Sequence, residues 1–407
     1  MLNFILFNPL HTYTLPDAVL IFIASIFISF LFARLIIKKH KRISSSLTSL
    51  KDIDLEKLLG REPIELDFKG IREFLKDTKV LVTGAGGSIG SELCRQIAKY
   101  GPNELLLLDI YENTVYDLEN ELIRKYPWLK IKILIASIRD RKRLDRLFKE
   151  YKPDIIFHAA AHKHVPLMED HPTEAVKNNI LGTLNMVECA HNYSVKSFVL
   201  ISTDKAVNPS NIMGATKRVC EMLIQAINAI SDTKYVAVRF GNVLGSNGSV
   251  IPLFLNQIAD GGPVTVTDKY VTRYFMLISE ATQLVIQAGA FAKGGEIFVL
   301  DMGEPLKIYD LAHALIKMTG LKPKEDIEIH ITGLRPGEKL HEELFMDGEA
   351  LFKTTNNKIF VGNPQNINLE DLKQKVFELE EVVLENDDSK VIEKLAEIVP
   401  NYRNIDK

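Results

Sequence analysis

Cysteine is scarce in this chain. Cys94, Cys189 and Cys220 stand far apart among 407 residues. An odd, scattered set excludes a disulfide framework and points to a reducing compartment, with each thiol a small buried apolar residue. A basic excess is also missing: 50 lysines and arginines face 53 aspartates and glutamates, for a net charge of −3. A nucleic-acid binder would carry a strong positive excess, so no nucleic acid is expected as a partner. No internal repeat is visible. Metal-ligand spacing is missing too. His158, His162, His164 and His171 fall close together but lack an i, i+4 pair backed by a carboxylate, so no metal is expected.

One long hydrophobic run is present, at the N-terminus. Ala18 to Ala33 carries no charge, and Leu35-Ile36-Ile37 extends it past Arg34. Roughly 20 apolar residues are enough to cross about 30 Å of hydrocarbon as a helix. Arg34 lies near one end, where a long cationic side chain can snorkel. Lys38-Lys39-His40-Lys41-Arg42 follows at once. Positive charge beside a span stays cytoplasmic, so a single-pass anchor with the rest of the chain in the cytoplasm is expected. A secretory signal would place its charge before the apolar core, the reverse of this order.

The chain is long enough for one large core plus a smaller lobe. Residues 1–42 read as a membrane anchor. Residues 43–78 read as a polar tether containing Ser44-Ser45-Ser46, with helical spacing over Ile53 to Leu59. From Lys79 strand and helix signals alternate. Strands are expected at Val80-Leu81-Val82, Glu104 to Leu108, Ile131 to Ala136, Ile155 to His158, Phe198 to Ile201 and Tyr235 to Phe240. Alternation of this kind predicts an α/β fold, a Rossmann-type doubly wound parallel sheet, over residues 79–365. After Gly241 the rhythm breaks into Gly- and Pro-rich pieces, read as a smaller C-terminal substrate-binding lobe, mainly 242–345. Residues 366–407 read as a charged helical tail.

Thr83-Gly84-Ala85-Gly86-Gly87-Ser88-Ile89-Gly90 joins the first strand to the first helix. Glycines at 84, 87 and 90 let the backbone turn tightly against a pyrophosphate, and the helix N-terminus faces its charge. Asp109 closes the second strand, where a carboxylate accepts both ribose hydroxyls of an adenosine and repels a 2′-phosphate. NAD is therefore the expected cofactor. Ala159 and Ala160, after the strand ending at His158, leave room for it to cross.

The other polar cluster follows Phe198-Val199-Leu200-Ile201. Ser202-Thr203-Asp204-Lys205 stands at the C-terminal end of that strand, where an open α/β sheet keeps its chemistry. An acid and a base lie side by side. Further on, Met213 and Lys217 have the spacing of Tyr-x-x-x-Lys, but with methionine in the tyrosine's place.

With these residues the stretch from about Asp54 to Phe360 resembles the nucleotide-sugar 4,6-dehydratases of bacterial polysaccharide and glycoprotein synthesis, in the extended short-chain dehydrogenase superfamily. The resemblance is carried by the glycine turn and by Lys163-His164-Val165-Pro166-Leu167-Met168-Glu169. It is carried equally by Ser202 to Pro209, Arg239-Phe240-Gly241-Asn242-Val243-Leu244-Gly245-Ser246, Thr272-Arg273-Tyr274-Phe275-Met276 and Arg335-Pro336-Gly337-Glu338-Lys339. An anchor plus Met213 resembles the membrane-bound UDP-N-acetylglucosamine 4,6-dehydratases that open bacillosamine-type pathways. Those commonly carry several spans, where this chain shows one. Ser137 stands where the family usually has an aspartate near the adenine, and Asn247 replaces a frequent arginine.

The resemblance implies the reaction. NAD takes hydride from carbon 4 of the sugar, water leaves across carbons 5 and 6, and hydride returns to carbon 6. It implies Lys205 as the base at carbon 5, which requires a lowered pKa from burial or from nearby Lys217. It implies Asp204 as the acid at carbon 6, Thr203 on the carbon-4 oxygen, and Lys217 on the nicotinamide ribose. Met213 takes no proton. Cofactor contacts fall on Gly84, Gly87, Ser88, Ile89, Gly90, Asp109, Ser137, Ile138, Ala159, Ala160, Asn179 and Lys217. Substrate contacts fall on His164, Asn242, Val250, Arg273, Arg335 and Glu338, the two arginines facing the UDP pyrophosphate. The implied setting is the bacterial inner membrane, with retention at carbon 5 and a homo-oligomer. Two other readings stay open: a UDP-sugar 4-epimerase, which needs a proton carrier where Met213 stands, and a non-catalytic membrane-tethered binder of NAD or a nucleotide sugar, which has no need of Asp204, Lys205 and Lys217.

Overall fold

The computed structural model describes residues 20, 22–30 and 64–403, apart from 247, 347, 348, 350 and 363. Half of the expected span over 18–37 therefore lies outside the described residues, as do Ile53 to Leu59 and Asn247. Leu20 and Phe22 to Phe30 are helical and exposed. No helix among the described residues is long and apolar enough to cross a membrane.

The chain divides into two compact units, one of residues 1–53, 254–264 and 313–330, the other of 54–253, 265–312 and 331–407. In the first, Phe254, Ile258, Leu315, Leu321 and Ile327 are buried, and the Val264 N–H donates to the Glu328 carbonyl at 2.8 Å.

The second unit is built on a nine-stranded sheet: β1 (Lys79–Thr83), β2 (Glu104–Asp109), β3 (Ile131–Ile135), β4 (Ile155–His158), β5 (Ser197–Ile201), β6 (Lys234–Arg239), β7 (Ile297–Leu300), β8 (Leu351–Lys353) and β9 (Ile359–Gly362). Their spatial order is β8-β9-β7-β6-β5-β4-β1-β2-β3. β1 to β7 run parallel, and β8 and β9 close the edge antiparallel. Strand order reverses between β1 and β4, which pair in register from Val80↔Ile155 to Thr83↔His158. Ligands of open α/β sheets bind outside the carboxyl ends at such a reversal.

Side-chain alternation explains why both faces are covered. Leu81, Leu106, Ile156, Phe198 and Leu200 enter one core, while Val80, Val82, Leu105, Phe157 and Val199 enter the other. Strands buried on both faces read as continuous apolar runs, as these do. The first core is closed by the helices Arg141–Tyr151, Gly182–Asn192 and Ile212–Asn228, the second by Ser88–Ala98, Glu112–Lys125 and Ile278–Phe291.

Two segments depart from their sequence reading. The tether expected over 43–78 gives way before its end: Phe68–Leu75 is a helix capped by Asp67, whose i, i+4 pair Ile71 and Leu75 is wholly buried. The C-terminal tail is a docked pair of helices, Leu369–Glu385 and Asp388–Ile398. They bury Leu372, Val376, Leu379, Val391 and Leu395 in the first core. Their charges face solvent, and the apolar stripe at helical spacing carries the packing.

Candidate active site

Backbone sterics shape the turn after β1. Gly84 has φ +64°, a region closed to most side chains, and a Cβ there would lie 2.8 Å from the Ala160 backbone. A Cβ on Gly90 would strike the Gly84 carbonyl oxygen. These two glycines draw β1, β4 and the helix Ser88–Ala98 together. Gly87 caps that helix without a side-chain hydrogen bond, so its positive end is turned to whatever fills the crevice.

The crevice is a cavity of about 660 Å³ lined by Gly84, Gly87, Asp109, Ser137, Ile138, Ala159 and Ala160, all expected, and by Arg139 and Asn178, which were not. A smaller cavity of about 270 Å³ continues past Ser88, Ile89 and Gly90. The Asp109 carboxylate accepts from the Gly86 N–H at 2.8 Å and the Tyr111 N–H at 2.9 Å, one on each oxygen. Each oxygen keeps a lone pair for a further donor, as a ribose diol would need. The open helix end, the glycine cradle and this carboxylate fit a dinucleotide. Asn179 does not line the crevice. It is 1% exposed, accepts the His162 N–H, and donates to the His162 carbonyl and the Thr216 hydroxyl. Expected at the cofactor, it instead clamps the loop after β4.

A cavity of about 300 Å³ shares Ala159, Ala161 and His162 with the crevice. Thr203, Lys205, Met213, Lys217, His164, Asn242 and Val250 all line it. Asp204 begins a single 3₁₀ turn after β5, with Thr203 as its cap. The Asp204 side chain is fully buried, and its Oδ1 receives the Thr203 hydroxyl at 2.8 Å and the Lys205 ammonium at 3.0 Å. Lys205 also donates to Asn242 Oδ1 at 3.4 Å. Met213 and Lys217 occupy the first turns of Ile212–Asn228, capped by Asn211. A Cβ on Gly214 would strike the Lys205 carbonyl oxygen, so that glycine lets the helix approach the pair.

The charge state of Lys205 differs from expectation. Burial alone pushes an ammonium's pKa down, but the carboxylates of Asp204 and Glu342 outweigh burial and opposing Arg273, and hold it above lysine's usual value. Lys217 goes the other way, lowered by burial against the weaker pull of Cys220 and Glu221. His158, fully buried between the hydroxyls of Thr83 and Thr183, is pushed by burial and by Lys217 to about 3 and stays neutral. No group of three or more possible metal ligands occurs among the described residues.

The residues expected at the UDP end of the substrate form a cluster of their own. Arg273, 7% exposed, pairs with Glu338 at 2.9 Å and approaches Glu342 at 3.8 Å. Arg335 is exposed, and its backbone N–H donates to Glu338. None of the three lines the cavity: Arg273 and Glu338 are paired with each other, and Arg335 is exposed. Gly337 accepts from Ser210 and Asn211, so its motif fastens the segment before Met213.

Sequence reasoning missed two charged groups. One is Glu342, whose Oε1 lies 3.4 Å from the Lys205 ammonium. The other is a buried network: Arg239, fully buried, holds Glu221 with two bonds of 2.7 and 2.8 Å and Glu349 at 2.9 Å. Glu221 in turn accepts from Ser202 and Arg218. It fixes the end of β5 from behind. The only sequence signal was a glutamate and an arginine among apolar neighbours.

A family profile described as "Polysaccharide biosynthesis protein" matches residues 80–364. The capsular polysaccharide biosynthesis protein CapD of Staphylococcus aureus is 55% identical over 318 residues, covering 78% of this chain and 53% of CapD. The chain thus spans about half the length of that relative. An inverting UDP-N-acetylglucosamine 4,6-dehydratase of Campylobacter jejuni is 35% identical over 67% of this chain and 78% of its own. A UDP-glucose 4-epimerase of Rickettsia canadensis is 36% identical over 66% and 77%. Among solved structures, Pen from Bacillus thuringiensis superposes with TM-score 0.66 at 38% identity, covering 71% of this chain and 90% of Pen. DesIV, a dTDP-glucose 4,6-dehydratase of Streptomyces venezuelae with NAD bound, shares the fold, with TM-score 0.60 at 22% identity over 74% and 97%.

Proposed function

This chain belongs to the polysaccharide biosynthesis protein family, and from that premise we propose that it catalyses the NAD-dependent 4,6-dehydration of UDP-N-acetylglucosamine. The observation that carries the reading is the Asp204–Lys205 pair at 3.0 Å, whose lysine lines a cavity together with Thr203, Met213 and Lys217 while Asp204 stands buried behind it. An epimerase moves a hydride and one hydroxyl proton at carbon 4. It has no work for a buried acid–base pair, and it needs a proton carrier that a thioether cannot supply.

NAD, held by Gly84, Gly87, Asp109, Ala159 and Ala160, would supply the hydride acceptor for carbon 4 and the hydride donor for carbon 6. The chain's own residues do the rest. Because Lys205 rests as an ammonium, the pair holds one proton between two heavy atoms. Transfer of that proton to Asp204 gives a neutral amine and a carboxylic acid, the two forms that elimination needs. The carbon 5–hydrogen bond then breaks toward Lys205, the carbon 6–oxygen bond breaks, and Asp204 protonates the departing hydroxide to water. Lys205 is an ammonium again and Asp204 a carboxylate. The ammonium then gives a proton to carbon 5 as hydride reaches carbon 6. The proton released from the carbon-4 hydroxyl, relayed through Thr203 or a water, recharges the pair. Desolvation by a sugar in the cavity favours the neutral pair over the charged one. Thr203 holds Asp204 Oδ1 and reaches for the carbon-4 oxygen. Lys217 anchors the nicotinamide ribose. His164, Asn242 and Val250 hold the sugar, and Arg273, Arg335 and Glu338 the UDP end, once the Arg273–Glu338 pair has opened to it. Carbon 5 is read as retained, the alternative being the inversion named for the Campylobacter relative.

The same proposal includes a single-pass anchor over 18–37, a cytoplasmic catalytic part at a bacterial inner membrane, and a homo-oligomer. The purified chain is expected to turn over UDP-N-acetylglucosamine with little or no added NAD, because hydride leaves and returns on one sugar. Stoichiometric accumulation of NADH, or an absolute demand for NADP, would count against it.

A further inference from the structure

Glu342 lies 137 residues from Lys205 in sequence and beside its ammonium in the fold. Its side chain is 3% exposed. Oε1 lies 3.4 Å from the Lys205 ammonium and 3.8 Å from Arg273 Nε. Its other oxygen is buried without a hydrogen-bond partner, as is Asp204 Oδ2. Lys205 therefore sits between two buried carboxylates, each with one oxygen bound and one unused. Burying an extra carboxylate beside an ion pair is costly unless it does something the pair cannot do alone.

We infer that Glu342 is a positioning residue that keeps the shared proton on Lys205 rather than on Asp204 until substrate arrives. This rests on the dehydratase reading above. Without Glu342, Lys205 and Asp204 are one cation and one anion in a dry site, and the proton passes readily between them. With Glu342, the ammonium is held by two anions, and the resting pair stays charged. A charged pair is inert as a base, so carbon-5 chemistry waits for the sugar to exclude water. The other groups around Lys205 do not substitute for this. Arg273 is cationic and opposes it, though Glu338 pairs with Arg273 and softens that effect. Asn242 is neutral. Lys217 and Lys163, which line the same cavity, are cations or potential cations, and Tyr274 stands beside Arg273 as a phenol. Glu342 is the one carboxylate besides Asp204 within 4 Å of the ammonium among the described residues.

The test is the reactivity of Lys205 itself. Competitive labelling with acetic anhydride across a pH series, read by mass spectrometry against exposed lysines of the same chain, reports where Lys205 loses its proton. Glu342→Gln should move that point down by about 1 to 3 pH units, the usual effect of one neighbouring opposite charge. The alkaline limb of UDP-N-acetylglucosamine dehydration should move down with it, because the one-proton pair is the active form. Glu342→Asp keeps the charge and withdraws it by one methylene. It should shift the same way by less, and it serves as the reading if the glutamine variant does not fold. An unmoved or upward-shifted labelling point in a folded variant overturns the inference. A wild-type chain that labels as expected but never dehydrates the sugar overturns the function and leaves the role of Glu342 standing.

Discussion

The glycine turn after β1 and the charged turn after β5 occupy matching places, each at the carboxyl end of a parallel strand, yet they are held in opposite ways. The first is made by backbone. Gly84, Gly90 and Asp109 lie within 26 residues, and what fixes them is the absence of side chains and two N–H bonds to one carboxylate. The second is made by charge. Asp204 and Lys205 are adjacent, but they depend on Asn242, Arg273 and Glu342 at the front and on Glu221, Arg239 and Glu349 behind. A site that only binds is held well enough by local sterics. A site that must pass protons needs its charges set, and charges are set by residues brought from afar.

Breaking the charged turn at its centre should have the largest effect. Lys205→Ala is expected to lower kcat for dehydration about 100- to 10,000-fold, the usual contribution of a general acid–base group. UDP-N-acetylglucosamine affinity should be largely kept. A variant within a few-fold of wild type would show that the two turns do not differ in kind.

Next comes the support behind it. Glu221→Gln leaves the fully buried Arg239 short of its main partner, which should cost about 3 to 5 kcal/mol in denaturant unfolding. The same residue gives a pH signature. Burial pushes the Glu221 carboxyl up, but Arg239 and Arg218 outweigh it and bring it down to about 2. A folded pKa below the unfolded value stabilises the fold above about 4.5, and this contribution is lost as pH falls toward 2. Glu221→Gln should flatten that part of the stability profile. A variant as acid-sensitive as wild type would place the acid sensitivity elsewhere.

The cofactor turn should break more gently. Asp109→Asn keeps the shape and removes the charge, so NAD binding should weaken by about 1.5 to 3 kcal/mol, the strength of hydrogen bonds to a charged group. Discrimination against NADP should relax together with it, and isothermal titration with both dinucleotides reads the two effects. Met213→Leu should be smallest of all. It conserves volume at a 4% exposed position and removes no proton carrier, so stability should change by less than about 1.5 kcal/mol and turnover only slightly.

The same contrast explains what the sequence disclosed. The strands were legible because they are apolar on both faces, and the glycine turn because sterics write themselves in contiguous residues. Asp204, Lys205, Met213 and Lys217 were legible by their position after β5. Glu342 and Glu221 were not, since a glutamate announces neither its burial nor its partner, whether 18 residues away as for Glu221 and Arg239 or 137 as for Glu342 and Lys205. The pKa of Lys205 was read in the wrong direction for the same reason: burial was foreseeable, but the second carboxylate was not. Asn179 was placed at the cofactor when its amide is spent on the His162 backbone. The helix Phe68–Leu75 was read as tether because two buried residues in eight leave a polar-looking segment.

On the proposed function, Asp204 and Lys205 carry an elimination across carbons 5 and 6. The most direct measurement is NMR of UDP-N-acetylglucosamine incubated with the purified chain in deuterated water. A 4-keto-6-deoxy product with solvent deuterium at carbon 5 is expected, and none when Lys205 is replaced by alanine. Formation of the carbon-4 epimer with the carbon-5 hydrogen untouched would contradict it.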